Sequence, residues 1–180
     1  LQNLPRGSKL RTALQAPPGK LVYVADLSNI EARMLAWLAK EEGLLESFAA
    51  GNDVYSEFAS EIYNRPITKA NKLERYVGKT AILGLGYGMG KDRFQDTLRN
   101  GSPSVDVTDT TALSIVTSYR TMYPNITSLW NVCKQFLYGM MDRAQYGNRF
   151  GPITISNNAL ELPNGMFLKY PHLNYHLGDF

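Results

Sequence analysis

Leu21-Val22-Tyr23-Val24-Ala25-Asp26-Leu27-Ser28-Asn29-Ile30-Glu31-Ala32-Arg33 changes character at Asp26. Before it, Leu21–Ala25 is a short apolar run behind the turn residues Pro17-Pro18-Gly19, which predicts a buried strand. After it, Ser28-x-x-Glu31 has the form of a capping box and opens a helix with Ile30, Met34, Trp37 and Leu38 on one face. Asp26 therefore stands at the C-terminal end of a strand, just before a helix, where open α/β sheets place their ligands. A carboxylate there suits Mg²⁺, which takes few protein carboxylates together with substrate phosphates. The competing role is a helix cap, which Ser28 already fills. Glu31 is equally well explained by the capping box and by the helix dipole.

Working outward, the chain reads as α+β and mainly helical. A short helix carrying Leu44, Leu45 and Phe48 ends at Gly51. Asp53 can cap a helix with Val54, Phe58 and Ile62, which the Pro66 region ends. Thr68 caps the next, running to about Tyr87. After a loop at Gly101–Ser104 comes a helix with Ala112, Ile115, Val116, Tyr119 and Met122. Pro124 starts another, with Ile126, Trp130, Cys133, Leu137 and Met140, finishing near Gly147. The tail changes period: Ile153–Ile155 and Leu160–Leu162 alternate, Pro163-Asn164-Gly165 turns, and Phe167–Tyr170 resumes. That pattern is a small antiparallel meander.

Composition limits the function classes. The chain has 180 residues, 44% apolar and 19% charged, which supports a packed core and excludes wholesale disorder. No apolar run is long enough for a spanning helix, and no signal peptide is visible. One Cys and two His exclude an internal disulfide framework and a structural zinc site, and point to a reducing, soluble setting. The first residue is not Met, and the chain reads as cut at both ends. The net charge is only +3, but Arg65–Arg99 holds eight basic residues against three acids. That local excess suits an anionic partner, or else a solvated helix face.

Arg75, Lys79, Leu83 and Tyr87 recur every four residues. Such a row drifts about 40° per step and spans about 18 Å of a helix. A guanidinium and an ammonium one turn apart suit a polyphosphate, since Arg clamps two oxygens and Lys acts as a point charge. An incidental surface stripe is the alternative. Gly78-Lys79-Thr80 has the ending of a phosphate-binding loop, but Leu73 occupies the position of its first glycine and the segment is helical, so a P-loop nucleoside triphosphatase is set aside. Gly84, Gly86, Gly88 and Gly90 weaken the helix end, either as a bend or for close packing. His172 and His176 sit beside Pro171 in strand-like flanks and do not read as a metal pair, and Cys133 reads as core.

Together these segments resemble the family A, DNA polymerase I-like, polymerases. Asp26-Leu27-Ser28-Asn29-Ile30-Glu31-Ala32-Arg33 is similar to their motif A, D-Y-S-Q-I-E-L-R, and Arg75-x3-Lys79-x3-Leu83-x3-Tyr87-Gly88 to their motif B on the fingers helix. Leu1-Gln2-Asn3-Leu4-Pro5, with Arg11 and Ala16-Pro17, resembles the stretch that precedes motif A. Leu162-Pro163-Asn164-Gly165 resembles a hairpin common in phage-encoded members. The resemblance covers nearly the whole chain.

The resemblance implies fingers helices, part of a palm sheet and a small hairpin: a palm segment over residues 1–50, fingers over 51–147, and a hairpin returning toward the palm over 148–180. It implies template-directed transfer of a nucleotide to a primer 3′-hydroxyl with two Mg²⁺ ions, and primer-template DNA, dNTPs and replication accessory proteins as partners, in the host cytoplasm for a phage protein. Asp26 and the Leu27 carbonyl would ligate metal. Glu31 would exclude the ribose 2′-hydroxyl. Arg75 and Lys79 would hold the triphosphate, Lys79 also as proton donor, and Arg11 would reach it. Tyr87 would alternate with the templating base. Leu83 stands where Phe or Tyr is usual, and Tyr55 where many members have His. No His-Asp dipeptide, the core of motif C, occurs in the sequence. The alternative is therefore a non-catalytic nucleotide- or DNA-binding fragment.

Overall fold

The computed structural model describes residues 9–174, apart from the Arg11 side chain. The chain divides into two units, Leu1–Ile30 and Glu31–Phe180.

In the first unit, a 3-10 turn at Lys9–Ala13 is followed by irregular chain. The strand expected at Leu21–Ala25 does not form, and Leu21, Val22, Tyr23 and Val24 are exposed. A strand is held by a neighbour's hydrogen-bond ladder. The one sheet among the described residues lies between Arg149 and Lys169, and this segment does not join it. Asn29 takes φ +55°, a left-handed conformation that Asn tolerates, so the helix starts at Ile30.

Seven α-helices follow among the described residues: α1 (Ile30–Ala39), α2 (Glu42–Ala49), α3 (Val54–Tyr63), α4 (Lys72–Leu85), α5 (Lys91–Arg99), α6 (Asp109–Met122) and α7 (Pro124–Met141). None is long and apolar enough to cross a membrane. The main core of the second unit joins Phe58 of α3, Val77, Ile82 and Leu85 of α4, Phe94 and Leu98 of α5, and Ile115 and Tyr119 of α6. Phe58, Tyr119 and Tyr123 form its aromatic centre, with ring centroids 5.0–6.1 Å apart.

Helix α1 presents the opposite face to the one expected. Ala32 and Ala36 are buried, with Leu35 and Ala39 packed beside them, while Met34, Trp37 and Leu38 are exposed. The helix is apolar on both sides, and the small residues, not the bulky ones, give the close approach. Glu41, just beyond α1, is buried, and its carboxylate accepts the Asn125 backbone N–H at 2.9 Å. A carboxylate at that place complements the positive start of α7.

Helices α3 and α4 touch backbone to backbone. A Cβ on Gly78 would lie 2.2 Å from the Tyr55 carbonyl oxygen and 3.0 Å from the Ala59 Cβ. Helix α4 begins at Lys72 rather than at Thr68, because the Asn71 side chain accepts the Thr68 N–H at 3.0 Å and closes a turn first. It ends at Leu85. Gly86 then packs tightly, with a hypothetical Cβ 2.7 Å from Leu35, while Gly88 meets nothing and turns the chain at φ +75°, so the glycine series serves close approach at one position and a bend at another.

Helix α5 has no counterpart in the sequence reading, since its buried pair, Phe94 and Leu98, spans only one turn. Helix α6 is capped by Thr108, whose hydroxyl accepts the Thr111 N–H at 3.2 Å. Helix α7 stops at Met141, earlier than Gly147, because Asp142 accepts the Ala144 N–H at 2.9 Å and starts a 3-10 turn. Cys133, expected in the core, is exposed. Residues 131–135 lie between the two clusters that α7 bridges, and no element covers them.

The meander forms with one strand more than the sequence showed, the two-residue β1: β1 (Arg149–Phe150), β2 (Ile153–Ser156), β3 (Ala159–Glu161) and β4 (Phe167–Lys169), antiparallel and in chain order. Ile155 pairs with Leu160 and packs with Phe136 and Met140 of α7 as a second, smaller core. The architecture is α+β and mainly helical.

Candidate functional site

The first unit supplies Asp26, an exposed carboxylate, and Leu27, whose carbonyl accepts the Ile30 N–H at 3.4 Å. Among the described residues no cluster of three or more His, Cys, Asp or Glu could hold a metal ion. Arg11 lies in the 3-10 turn, and its side chain is outside the described atoms, as is the whole of His176. His172 is exposed.

The second unit brings most of the other residues together along α4. At its N-terminal end, Arg75 grips Asp53 at the start of α3. Nε donates to Oδ2 at 2.6 Å and Nη2 to Oδ1 at 3.0 Å. The Ser56 hydroxyl donates to the same Oδ2 at 2.7 Å. Asp53 is therefore drawn toward α4 and makes no side-chain cap to α3, against the expectation from sequence. Burial pushes its carboxyl up, but the Arg75 and Ser56 hydrogen bonds and the Arg75 and Lys69 charges outweigh that and hold it below the ordinary value. Arg75 is raised, first by the Asp53 hydrogen bond.

The Arg75 guanidinium also sits over the Tyr55 ring, 5.3 Å from its centroid. Tyr55 is buried, and its hydroxyl is pushed up by burial and by the charges of Asp53 and Glu31, against the lowering effect of Arg75. Lys79, one turn beyond Arg75, is half-buried and has no salt bridge among the described residues.

At the other end of the row, Tyr87 lies just past the last turn of α4, exposed, with its hydroxyl near the Glu31 carboxylate. Desolvation and the Glu31 hydrogen bond and charge push that hydroxyl up. Glu31, Leu35, Ile82, Leu83 and Tyr87 line a narrow cleft of about 40 Å³. The turn carrying Tyr87 is tied from behind by Trp130 of α7, whose indole N–H donates to the Gly86 carbonyl at 3.0 Å.

Charge in the basic stretch is less free than its local count suggests. Arg65 pairs with Glu74, Arg75 with Asp53, Lys91 with Asp92 and Asp109, and Arg99 with Asp96 and Asp106. Asp53, Asp106 and Asp109 lie outside the window, so counting within it misses them. Lys69, Lys72, Lys79 and Arg93 keep no salt bridge among the described residues. Sequence reasoning missed both the Asp53–Arg75 pair, set 22 positions apart with no local signal, and Trp130. Gly78 stood within a strongly helical segment, and that placement was a usable sign of close packing.

Comparison with known proteins identifies the family. A family model described as DNA polymerase family A matches residues 1–149. A DNA polymerase of Bacillus phage SP02 is 36% identical over 168 residues, 89% of this chain and 25% of that protein. DNA polymerase I of Pseudomonas aeruginosa is 39% identical over 93 residues, 49% of this chain and 10% of its own length. The thermostable DNA polymerase I of Thermus aquaticus is 36% identical over 102 residues, 54% of this chain and 12% of its own. The chain thus spans a quarter or less of these relatives. The matched residues include Asp26, Glu31 and the row from Arg75 to Tyr87, and the chain belongs to DNA polymerase family A.

Proposed function

We propose that this chain forms the nucleotide-binding fingers and part of the palm of a DNA polymerase that extends a primer on a template. Residues 1–50 would belong to the palm, 51–147 to the fingers, and 148–180 to a hairpin returning toward the palm. The observation that carries the reading is the row along α4 and the turn after it: Arg75 over the Tyr55 ring, a Lys79 with no salt bridge among the described residues, then Leu83 and Tyr87 beside Glu31. Such a row offers cations to a polyphosphate at one end and a carboxylate with an aromatic ring to a sugar and base at the other.

In this reading Lys79 contacts the triphosphate of the incoming nucleotide and stabilises the charge that develops on its leaving pyrophosphate. Glu31, beside Tyr87, fills the space a ribose 2′-hydroxyl would need. Leu83 offers only aliphatic contact, where the motif it resembles has a ring. Asp26, exposed and without a salt bridge among the described residues, has the hard-oxygen chemistry of a Mg²⁺ ligand, and Leu27 offers a second oxygen. They fit part of a donor set that triphosphate oxygens, water and another carboxylate would complete. Bound Mg²⁺ supplies charge neutralisation and activation of the attacking hydroxyl.

The test is Lys79→Ala in the full polypeptide. Removing one preorganised charge contact in the transition state costs about 10²–10³ in rate. Single-turnover nucleotide incorporation should fall by about that factor with the circular dichroism spectrum unchanged. Unchanged kinetics would break the triphosphate assignment and favour a non-catalytic binding role.

Binding of duplex DNA adds a second measurement. For every phosphate that a cation no longer neutralises, the slope of log affinity against log salt shrinks by about 0.9. Neutralising Lys69, Lys72, Lys79 and Arg93 together should therefore flatten the slope by up to about 3.6 units. Neutralising the paired Arg65 and Arg99 should change it far less. Equal effects of the two sets would show that the salt bridges do not restrain these cations.

A further inference from the structure

Arg75 has five N–H donors, and the Asp53 fork uses only two of them. Asp53 occupies the Nε/Nη2 edge. The opposite edge, Nη1 with the second Nη2 hydrogen, makes no hydrogen bond among the described residues. The two-point fork to the carboxylate fixes the orientation of the guanidinium, and the Tyr55 ring lies beside it, 5.3 Å from centroid to Cζ. Asp53 is itself fixed by the Ser56 hydroxyl and by the start of α3. Lys79 projects one turn further along α4, half-buried and without an ion pair among the described residues.

We infer that Asp53 is a positioning residue for polyphosphate: it holds Arg75 so that the free guanidinium edge and Lys79 act together on the phosphate oxygens. The inference deepens the triphosphate reading above and rests on it. It carries an unusual sign. Asp53 is an anion close to a site for anions, so electrostatics alone requires that removing it tighten binding. Positioning requires the reverse, because a released arginine must be re-ordered each time a ligand binds.

The test measures binding of inorganic triphosphate to the full polypeptide by calorimetry. Losing one charge-assisted fork corresponds to about a tenfold change in affinity. Asp53→Ala and Arg75→Ala should each weaken binding by about that factor, and the double variant should be no weaker than Arg75→Ala alone. Asp53→Asn keeps the volume and an acceptor for Ser56, and it should also weaken binding while its melting temperature stays near that of the parent. Equal or tighter binding by Asp53→Ala overturns the inference, as does a loss that persists undiminished in the Arg75→Ala background. If Lys79→Ala also leaves triphosphate binding unchanged, the clamp itself fails and the role of Asp53 falls with it. If Lys79→Ala weakens binding and Asp53→Ala does not, only the role of Asp53 fails.

Discussion

Replacing Asp26 by Ala should lower primer extension by the full polypeptide by about 10³-fold or more, the scale of a single charge contact in phosphoryl transfer. The carboxylate is exposed and lies in irregular chain, so little of the fold depends on it. A loss of activity at this position would therefore report chemistry rather than folding. Asp26→Asn should be nearly as damaging, because it keeps the shape and removes the charge that a divalent ion needs. Asp26→Glu should retain part of the activity, since only the reach changes. Extension within a few-fold of the parent for Asp26→Ala would remove this residue from the catalytic assignment.

Gly78→Ala should destabilise the second unit by about 2 kcal/mol. In an exposed helix the same change would stabilise by about 1 kcal/mol. Here the added methyl meets the Tyr55 carbonyl oxygen at 2.2 Å, and that oxygen belongs to the backbone of a neighbouring helix and cannot rotate away. Forcing packed elements apart typically costs about 1–3 kcal/mol, and this contact is at the severe end. The damage reaches the site, because α3 carries Asp53 at its start and Tyr55 in its first turn, while α4 carries Arg75. Urea unfolding should show a lower midpoint, and triphosphate affinity should fall with it. A gain in stability would mean that α3 and α4 do not touch at this glycine.

The elements with strong periodicity were legible from sequence. α2, α3, α6, α7 and the meander fall where apolar spacing, Pro124 and the Pro163-Asn164-Gly165 turn put them. The row on α4 was legible as a spacing of four. What failed were features decided by distant neighbours. Leu21–Ala25 has the composition of a strand, yet composition supplies no partner ladder. The buried face of α1 is chosen by how closely Ala32 and Ala36 let it approach, which a count of bulky apolar residues inverts. Asp53 is suited to capping α3, but Arg75 offers it two charge-assisted hydrogen bonds and wins it. The local count of positive charge failed for the same reason, because three of the neutralising acids come from outside the window.

The tie between Trp130 and the Gly86 carbonyl also gives the molecule an optical reporter. The sequence contains two tryptophans, and the other, Trp37, is exposed on α1. Trp130 is half-buried, and its indole N–H is bonded to the residue immediately before Tyr87. Its emission is therefore sensitive to any displacement of the turn that carries Tyr87, while Trp37 contributes a solvent-exposed background that Trp37→Phe would remove. Movement at the end of α4 can thus be followed in the unlabelled protein by its own fluorescence.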